Sequence, residues 1–429
     1  MGPFDYVVPK GPRAIYETLS QYAFEKPPLA RQGLERSLGV GLVVAEGEVH
    51  RQQRKMMRPI FGLGRNQRLV PQVWATATVL CQKIEELVSQ ANGSTIVEVH
   101  SLTMATTLDV IGVTTLGLDF ESIQHPERSI LQAYKLIYPT PENPTTVDRI
   151  VGNIFGTILP PRLLFKIPSK TIRGYHAGMA KLRDFCLQHI RRKKQDIKSG
   201  SAGDVELREK DILSAIITTG LADEIELLSH VLTIMAAGHD TTAVTLDWAL
   251  FRLAKHADIQ DRLRAEVAQA IGNHDAAPSL DTLNSMKYLH AFLMEVLRFY
   301  PPLPLLARSA VEDTAIGGVR IPRGQGVLIS PYAINRCREL WGDEAEEFDV
   351  GRWESSHTGG AASPYAFSTF SMGPRTCIGK DFALIAIKTL LVTLLRRFRF
   401  EEVAPGWHPP FLKDTTLKAR GLKIMVSLL

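Results

Sequence analysis

The stretch richest in chemistry is FSMGPRTCIG, residues 370–379. It sets one thiol, Cys377, in a loop ahead of an apolar run (382–395) that reads as a buried helix. Gly373 and Gly379 allow backbone shapes that a Cβ forbids and let a flat ligand approach the main chain, while Pro374 stiffens the turn. A thiol just before a helix meets unpaired N–H groups and the positive end of the dipole, which favour thiolate. Arg375 adds a fixed positive charge two residues away. With no second Cys or His at zinc spacing, this suits an axial ligand to haem iron. Read alone, a buried small residue is the simpler account.

A second pattern, AAGHDTT at 236–242, lies mid-way along a predicted helix over 222–255. Gly and paired Thr are poor interior choices by propensity, so something other than helix strength is served there. A small-residue notch makes room for a diatomic ligand. The Thr241 hydroxyl can bond the i−4 carbonyl or that ligand, and Asp240 can feed it protons from solvent. A kinked core helix with polar residues on its wet side is the plainer alternative, and His239 reads as a surface or packing residue. In the predicted helix 285–300, Glu295 and Arg298 share one face among apolar neighbours, so both charges need internal partners. His50 and Arg54 share a face of a predicted helix within 46–61. Arg51, Lys55 and Arg58 form a basic stripe about a quarter turn away, the pattern of a solvated surface or of a docking patch for an acidic partner.

These residues must be positioned by a chain of 429 residues that is 45% hydrophobic and 22% charged, ordinary for a globular protein. A net charge of +5 gives no footprint for nucleic acid. Four scattered cysteines, without C-x-x-C, suit a reducing compartment and exclude a disulfide scaffold. No apolar run reaches the length of a spanning helix. Helices are predicted at 12–24, 72–91, 101–117 and 169–198, with Pro- and Gly-punctuated loops and short helices over 119–168. Strand-like pieces follow at 314–321, 326–330, 398–400 and 421–428.

The ten-residue loop fits F-x-x-G-x-R-x-C-x-G, the cysteine signature of the cytochrome P-450 (haem-thiolate monooxygenase) family, at every specified position. From about Tyr6 to its end the chain resembles that family, most closely its eukaryotic, fungal biosynthetic members. The resemblance implies a mainly α fold with a small β region, as one domain over 1–429 that lacks the family's usual N-terminal anchor and first helix. It implies haem b ligated by Cys377, with Phe370, Arg375 and Gly379 in the loop and His50, Arg54 and Arg308 at the propionates. Residues 237–241 resemble the A-G-x-[DE]-T oxygen-activation motif, which makes Asp240 and Thr241 catalytic. Glu295 and Arg298 resemble the family's E-x-x-R pair. FDVGRW (348–353), similar to F-x-P-x-R-[FW] with Val350 in place of Pro, adds Arg352 to a structural triad.

The implied activity is insertion of one oxygen atom from O2 into a hydrophobic small molecule, in secondary-metabolite or lipid biosynthesis. An apolar lining of Leu303, Leu305, Leu306, Ile137 and Ile154 is expected for it. Electrons would come from an NADPH-dependent flavoprotein reductase at Arg51, Lys55 and Arg58. Family members usually lie on the cytosolic face of the endoplasmic reticulum, and the apolar patch 150–165 suits a peripheral membrane contact. Two alternatives stay open: a haem-thiolate isomerase or dehydratase working without O2, and a non-catalytic haem-binding fragment.

Overall fold

A computed structural model describes residues 5–137, 163, 166–167, 169–199, 211–272, 276–411 and 415–429. The first half supplies helices α1 (Pro12–Leu19), α2 (Pro28–Leu38), α3 (Gly47–Met57), α4 (Leu63–Gln90), α5 (Val99–Ile111), α6 (Ser129–Ile137) and α7 (Lys170–Lys198). Then come α8 (Ile212–Thr219), α9 (Glu224–Lys255), α10 (Ala257–Ile271), α11 (Leu280–Ser285) and α12 (Lys287–Phe299). Short turns α13 (Pro331–Ile334), α14 (Arg338–Trp341) and α15 (Gly351–Ser355) lead to α16 (Lys380–Leu395). The strands are β1 (Tyr6–Val7), β2 (Phe24–Glu25), β3 (Ser94–Glu98), β4 (Leu306–Ala310), β5 (Thr314–Ile316), β6 (Val319–Ile321), β7 (Gly326–Ile329), β8 (Phe398–Glu402) and β9 (Lys423–Leu428).

Helix α9 is the axis of the molecule. Asp223 caps it by accepting from the Glu226 N–H at 2.8 Å. Glu224 and Glu226 in its first turn, and Arg252 and Lys255 in its last, complement the helix dipole. Its residues are buried on almost every side, against α5, α7, α12 and α16. Helix α16, which follows the cysteine loop, is apolar from Phe382 to Leu395 and packs on α4.

Two sheets hold the ends of the chain. In the first, of order β1-β7-β4-β2, the β1–β7 pair is parallel and the others antiparallel, and Arg308 on β4 stands opposite Val327. In the second, β3-β9-β8, both pairs are antiparallel. Strand β9 ends the chain beside α4 and α9, so the segment before it runs along the central helix.

The helices that carry the sequence patterns lie close to their expected bounds, whereas α2, α8, α10, α11, β2 and β3 have no counterpart among the expected elements. Nor does the helix expected to begin at residue 72 start there. Helix α4 runs through Pro71, because buried Leu69, Val70 and Val73 hold the turn around the proline in the core. Packing overrides local propensity at that point.

Candidate active site

The cysteine loop closes on itself. The Cys377 N–H donates to the Phe370 carbonyl oxygen at 2.8 Å, behind Ser371 and Gly373 with φ of +58° and +66°. A Cβ on Gly373 would sit 2.6 Å from the Leu19 carbonyl oxygen, so both φ and the approach of α1 require glycine. A Cβ on Gly379 would meet nothing within 4 Å, which leaves the loop bare beside the thiol.

Cys377 is solvent-accessible at its tip but lies deep in the protein. Desolvation pushes its thiol up; the Gly379 N–H hydrogen bond, Arg54 and Lys380 pull it back, and Asp381 adds to the rise. The helix end and Arg375 therefore do not supply a thiolate by themselves, contrary to expectation. Burial outweighs the first, and Arg375 is committed to Glu46 and to the Ala45 carbonyl oxygen, 2.7 Å away.

Positive charge gathers around this loop from well-separated stretches. Arg54 on α3 donates to the Thr376 carbonyl oxygen at 2.8 Å. His50, one turn earlier and buried, has its Nδ1 3.0 Å from the Tyr22 hydroxyl. Burial, Arg54 and Lys26 together lower its pKa to about 4, so the ring is neutral at ordinary pH. Lys26 lies 2.9 Å from Glu46, yet its pKa falls to about 7 because burial, Arg375 and Arg308 outweigh nearby negative charge. Arg308 is nine-tenths buried and its guanidinium donates to the Ala307 carbonyl oxygen at 2.9 Å. Among the described residues no carboxylate pairs with it. Nothing in the sequence points to Lys26, Glu46 or Tyr22; their signal lies in contacts across twenty residues or more.

This donor set fits haem. A buried guanidinium without a carboxylate and a depressed lysine mark a site short of negative charge, which two propionates would supply. The bare face at Gly379 admits a planar ring, and a coordinating metal deprotonates a thiol outright. Among the described residues no group of three or more His, Cys, Asp or Glu side chains could hold a metal ion.

The middle of α9 is open where its flanks are buried. Ala237 is exposed and Thr241 half-buried. The Thr241 hydroxyl donates to the Ala237 carbonyl oxygen at 2.7 Å. Gly238 makes no notch for a diatomic ligand: a Cβ there would lie 2.5 Å from Ile111 Cδ1, so its smallness serves the contact with α5. The neighbouring Ala237 keeps the open face small. His239 is a packing residue, buried edge-on against the Tyr134 ring. Asp240 accepts from the Thr416 hydroxyl at 2.7 Å and lies 3.1 Å from Lys418 Nζ. Burial raises its pKa, but Lys418, His239 and the Thr416 hydrogen bond more than offset this and hold it below the usual carboxylate value.

Behind the cysteine loop, Arg298 and Glu295 form a fully buried two-point pair at 2.8 and 2.7 Å. Glu295 also accepts from the Trp353 indole N–H and the Asp349 N–H, both at 2.9 Å. Arg352, expected as the third member, does not reach Glu295. It donates to the carbonyl oxygens of Trp341 (3.0 Å) and Glu344 (3.1 Å). Neighbours on a helical turn point about 100° apart, and the inward position goes to Trp353. Of the expected apolar lining, Ile137 packs in the core beside Gly178 of α7. Leu306 packs on the cluster containing Ile15 and Leu19, Leu303 is half-buried and Leu305 is exposed. Ile154 and most of the patch 150–165 lie outside the described residues.

A sequence model described as Cytochrome P450 matches residues 1–425. The chain is 36% identical to a cytochrome P450 monooxygenase, sphH, from Aspergillus fumigatus, covering 94% of this chain and 75% of the relative. It is 31% identical to the monooxygenase ptmK from Penicillium ochrochloron, covering 96% and 82%. The crystal structure of a cytochrome P450DA heme domain superposes with a TM-score of 0.80 at 23% identity, covering 98% of this chain and 87% of that one, and so shares its fold. With a lone thiol in the signature loop, the cations around it and these likenesses, the chain belongs to the cytochrome P450 family and is a haem b-dependent monooxygenase.

Proposed function

We propose that this monooxygenase hydroxylates an unactivated C–H bond, or carries out a related oxidation, on a hydrophobic small molecule of secondary metabolism or lipid biosynthesis. The chain works as one domain, a reading supported by a main apolar core that draws on residues from Leu38 to Val426, with two smaller clusters beside it. Cys377 ligates the iron. Arg54, Arg308 and Arg375, with neutral His50, hold the propionates, and Phe370 and Gly379 shape the loop. Glu295 and Arg298 brace it from behind, and Arg352 ties down the segment around Trp341 and Glu344. Haem, when bound there, supplies the electron transfer and O–O cleavage that no side chain can.

The protein's own contribution is to position groups and move protons. Thr241 presents a hydroxyl on the open face of α9, and Asp240 beside it exchanges protons with solvent. The observation that carries the reading is the exposed Cys377 thiol set among buried cations that lack enough carboxylates. Electrons come from an NADPH-dependent flavoprotein reductase drawn to exposed Arg51, Lys55 and Arg58. Reversing all three to Glu should slow reductase-driven turnover at low salt and leave peroxide-driven turnover alone. A peripheral contact with the endoplasmic reticulum membrane is part of the same reading. No helix among the described residues is long and apolar enough to cross a membrane.

The deciding experiment is a carbon-monoxide difference spectrum of the reduced protein, followed by turnover with reductase, NADPH and O2 over a panel of terpenoid, polyketide and fatty acyl substrates. A red-shifted Soret band with O2-dependent product supports the reading. Product formed without O2 and reductase would replace it with rearrangement chemistry.

A further inference from the structure

The segment just before β9 lies far from the signature loop in sequence, yet it ends on the acid of the central helix. Thr416 and Lys418 both engage Asp240, at 2.7 and 3.1 Å. The segment is pinned there independently: the Leu417 N–H donates to the Pro302 carbonyl oxygen at 2.9 Å, and the Trp248 indole N–H donates to the Leu417 carbonyl oxygen at 2.7 Å. Lys418 is almost wholly buried, its side chain 3% exposed against 21% for Asp240. A buried ammonium at that depth needs a carboxylate partner, and removing either member strands the other.

The carboxylate is turned away from the hydroxyl it is to serve. Asp240 points to the terminal segment, while the Thr241 hydroxyl donates backwards to the Ala237 carbonyl oxygen. Two helical turns along the same helix, Asp247 lies fully buried and takes the half-buried His100 Nδ1 at 2.7 Å, with a further hydrogen bond from Thr103. Asp240 and Lys418 both act electrostatically on His100, so the two pairs feel one another's field.

We propose that Lys418, carried by this terminal segment and seconded by Thr416, is a positioning residue for oxygen activation, holding Asp240 as a carboxylate until it turns to Thr241. The proposal rests on the role given to Asp240 above. The carboxylate itself is unchanged after each delivery: it takes one proton from solvent, passes it through the Thr241 hydroxyl to the oxygen that leaves as water, and returns to Lys418. Without the ammonium the carboxyl stays protonated to higher pH. The groups that set its charge are Lys418 and Thr416 on the terminal segment, His239 on its own helix and His100 on α5.

The test compares Lys418→Met, Lys418→Arg and Thr416→Val with Asp240→Asn in the haem-loaded enzyme, after equal haem content and equal carbon-monoxide spectra have been established. Lys418→Met should lose roughly tenfold in product per NADPH, less than the roughly hundredfold loss from removing the acid. Its pH profile for coupling should move to higher pH, and Lys418→Arg should restore both. Infrared spectra give a readout apart from turnover: Lys418→Met should show a protonated-carboxyl band at neutral pH that vanishes when Asp240→Asn is added. Should Lys418→Met fail to load haem, Thr416→Val carries the same prediction with a smaller shift. Wild-type coupling and pH profile in both variants, with Asp240→Asn impaired, would overturn the proposal and leave the acid's role standing. No effect from Asp240→Asn would overturn both.

Discussion

Two regions of this molecule handle charge in opposite ways. Around the Cys377 loop, Lys26, Arg54, Arg308 and Arg375 gather while buried Glu46 pairs only with Lys26 and Arg375, and burial, reinforced by Arg375 and Arg308, depresses Lys26 to about 7. Around the middle of α9, Asp240 faces the Lys418 ammonium, and Asp247 faces His100, whose pKa it raises against the burial of the ring. The first region carries an excess of cations that the chain does not itself neutralise, as expected of a seat for an anionic ligand. The second is balanced internally, as expected of a place where protons move and net charge must not accumulate. On the proposed roles, haem binding and oxygen activation fall to separate sets of residues, and substitutions should divide along the same line.

The largest effect should come from Cys377→Ser. Turnover should fall to background and the reduced carbon-monoxide spectrum should lose its red-shifted band, since the remaining cations hold propionates but supply no electron density to iron. A variant that keeps that band would break the assignment of the thiol. On the balanced side, Thr241→Ala should leave haem content and spectrum intact while product per NADPH falls roughly ten- to a hundredfold, with the missing electrons appearing as peroxide. If Thr241→Ala instead lost haem, the separation of the two regions would be false.

The same contrast explains what the sequence could and could not reveal. The thiol loop, the Asp240–Thr241 pair and the Glu295–Arg298 pair are local patterns, each contained in ten residues or fewer on one turn or one helix face. Their partners are not local. Glu46 reaches Arg375 across 329 residues of sequence, and Thr416 reaches Asp240 across 176. No periodicity encodes such contacts. Arg352 was misplaced for the opposite reason: its motif is local, but whether it or Trp353 turns inward depends on the angle at which α15 meets α12. The smallness at 237–238 was visible, yet its division between an open face at Ala237 and a packing contact at Gly238 became definite only with Ile111 in place.

A smaller effect should follow from Arg308→Gln. Removing a buried charge that lacks a carboxylate relieves the haem-free protein, but costs about 1.5–3 kcal/mol of charged hydrogen bonding to a propionate. Haem affinity should therefore drop roughly ten- to a hundredfold, while the haem-free protein melts no lower than wild type. A variant that instead lowered the melting temperature of the haem-free protein would show that Arg308 is a structural cation, and the thiol side would not be short of negative charge.

The subtlest consequence concerns pH. Lys26 has a folded pKa of about 7 against an ordinary 10.5. Between those values the unfolded chain holds a proton that the folded one has lost, so ∂ΔG/∂pH is positive there. The haem-free protein should gain stability as pH rises from about 7 towards 10.5 and lose it again as pH falls back through 7. Lys26→Met should flatten this slope. Bound propionates should flatten it too, because two carboxylates near the ammonium return its pKa towards the ordinary value. Thermal unfolding across that window, with and without haem, measures both effects. A slope unchanged by haem would mean that the ligand's acidic arms lie elsewhere, and the cation cluster would need another anion to account for it.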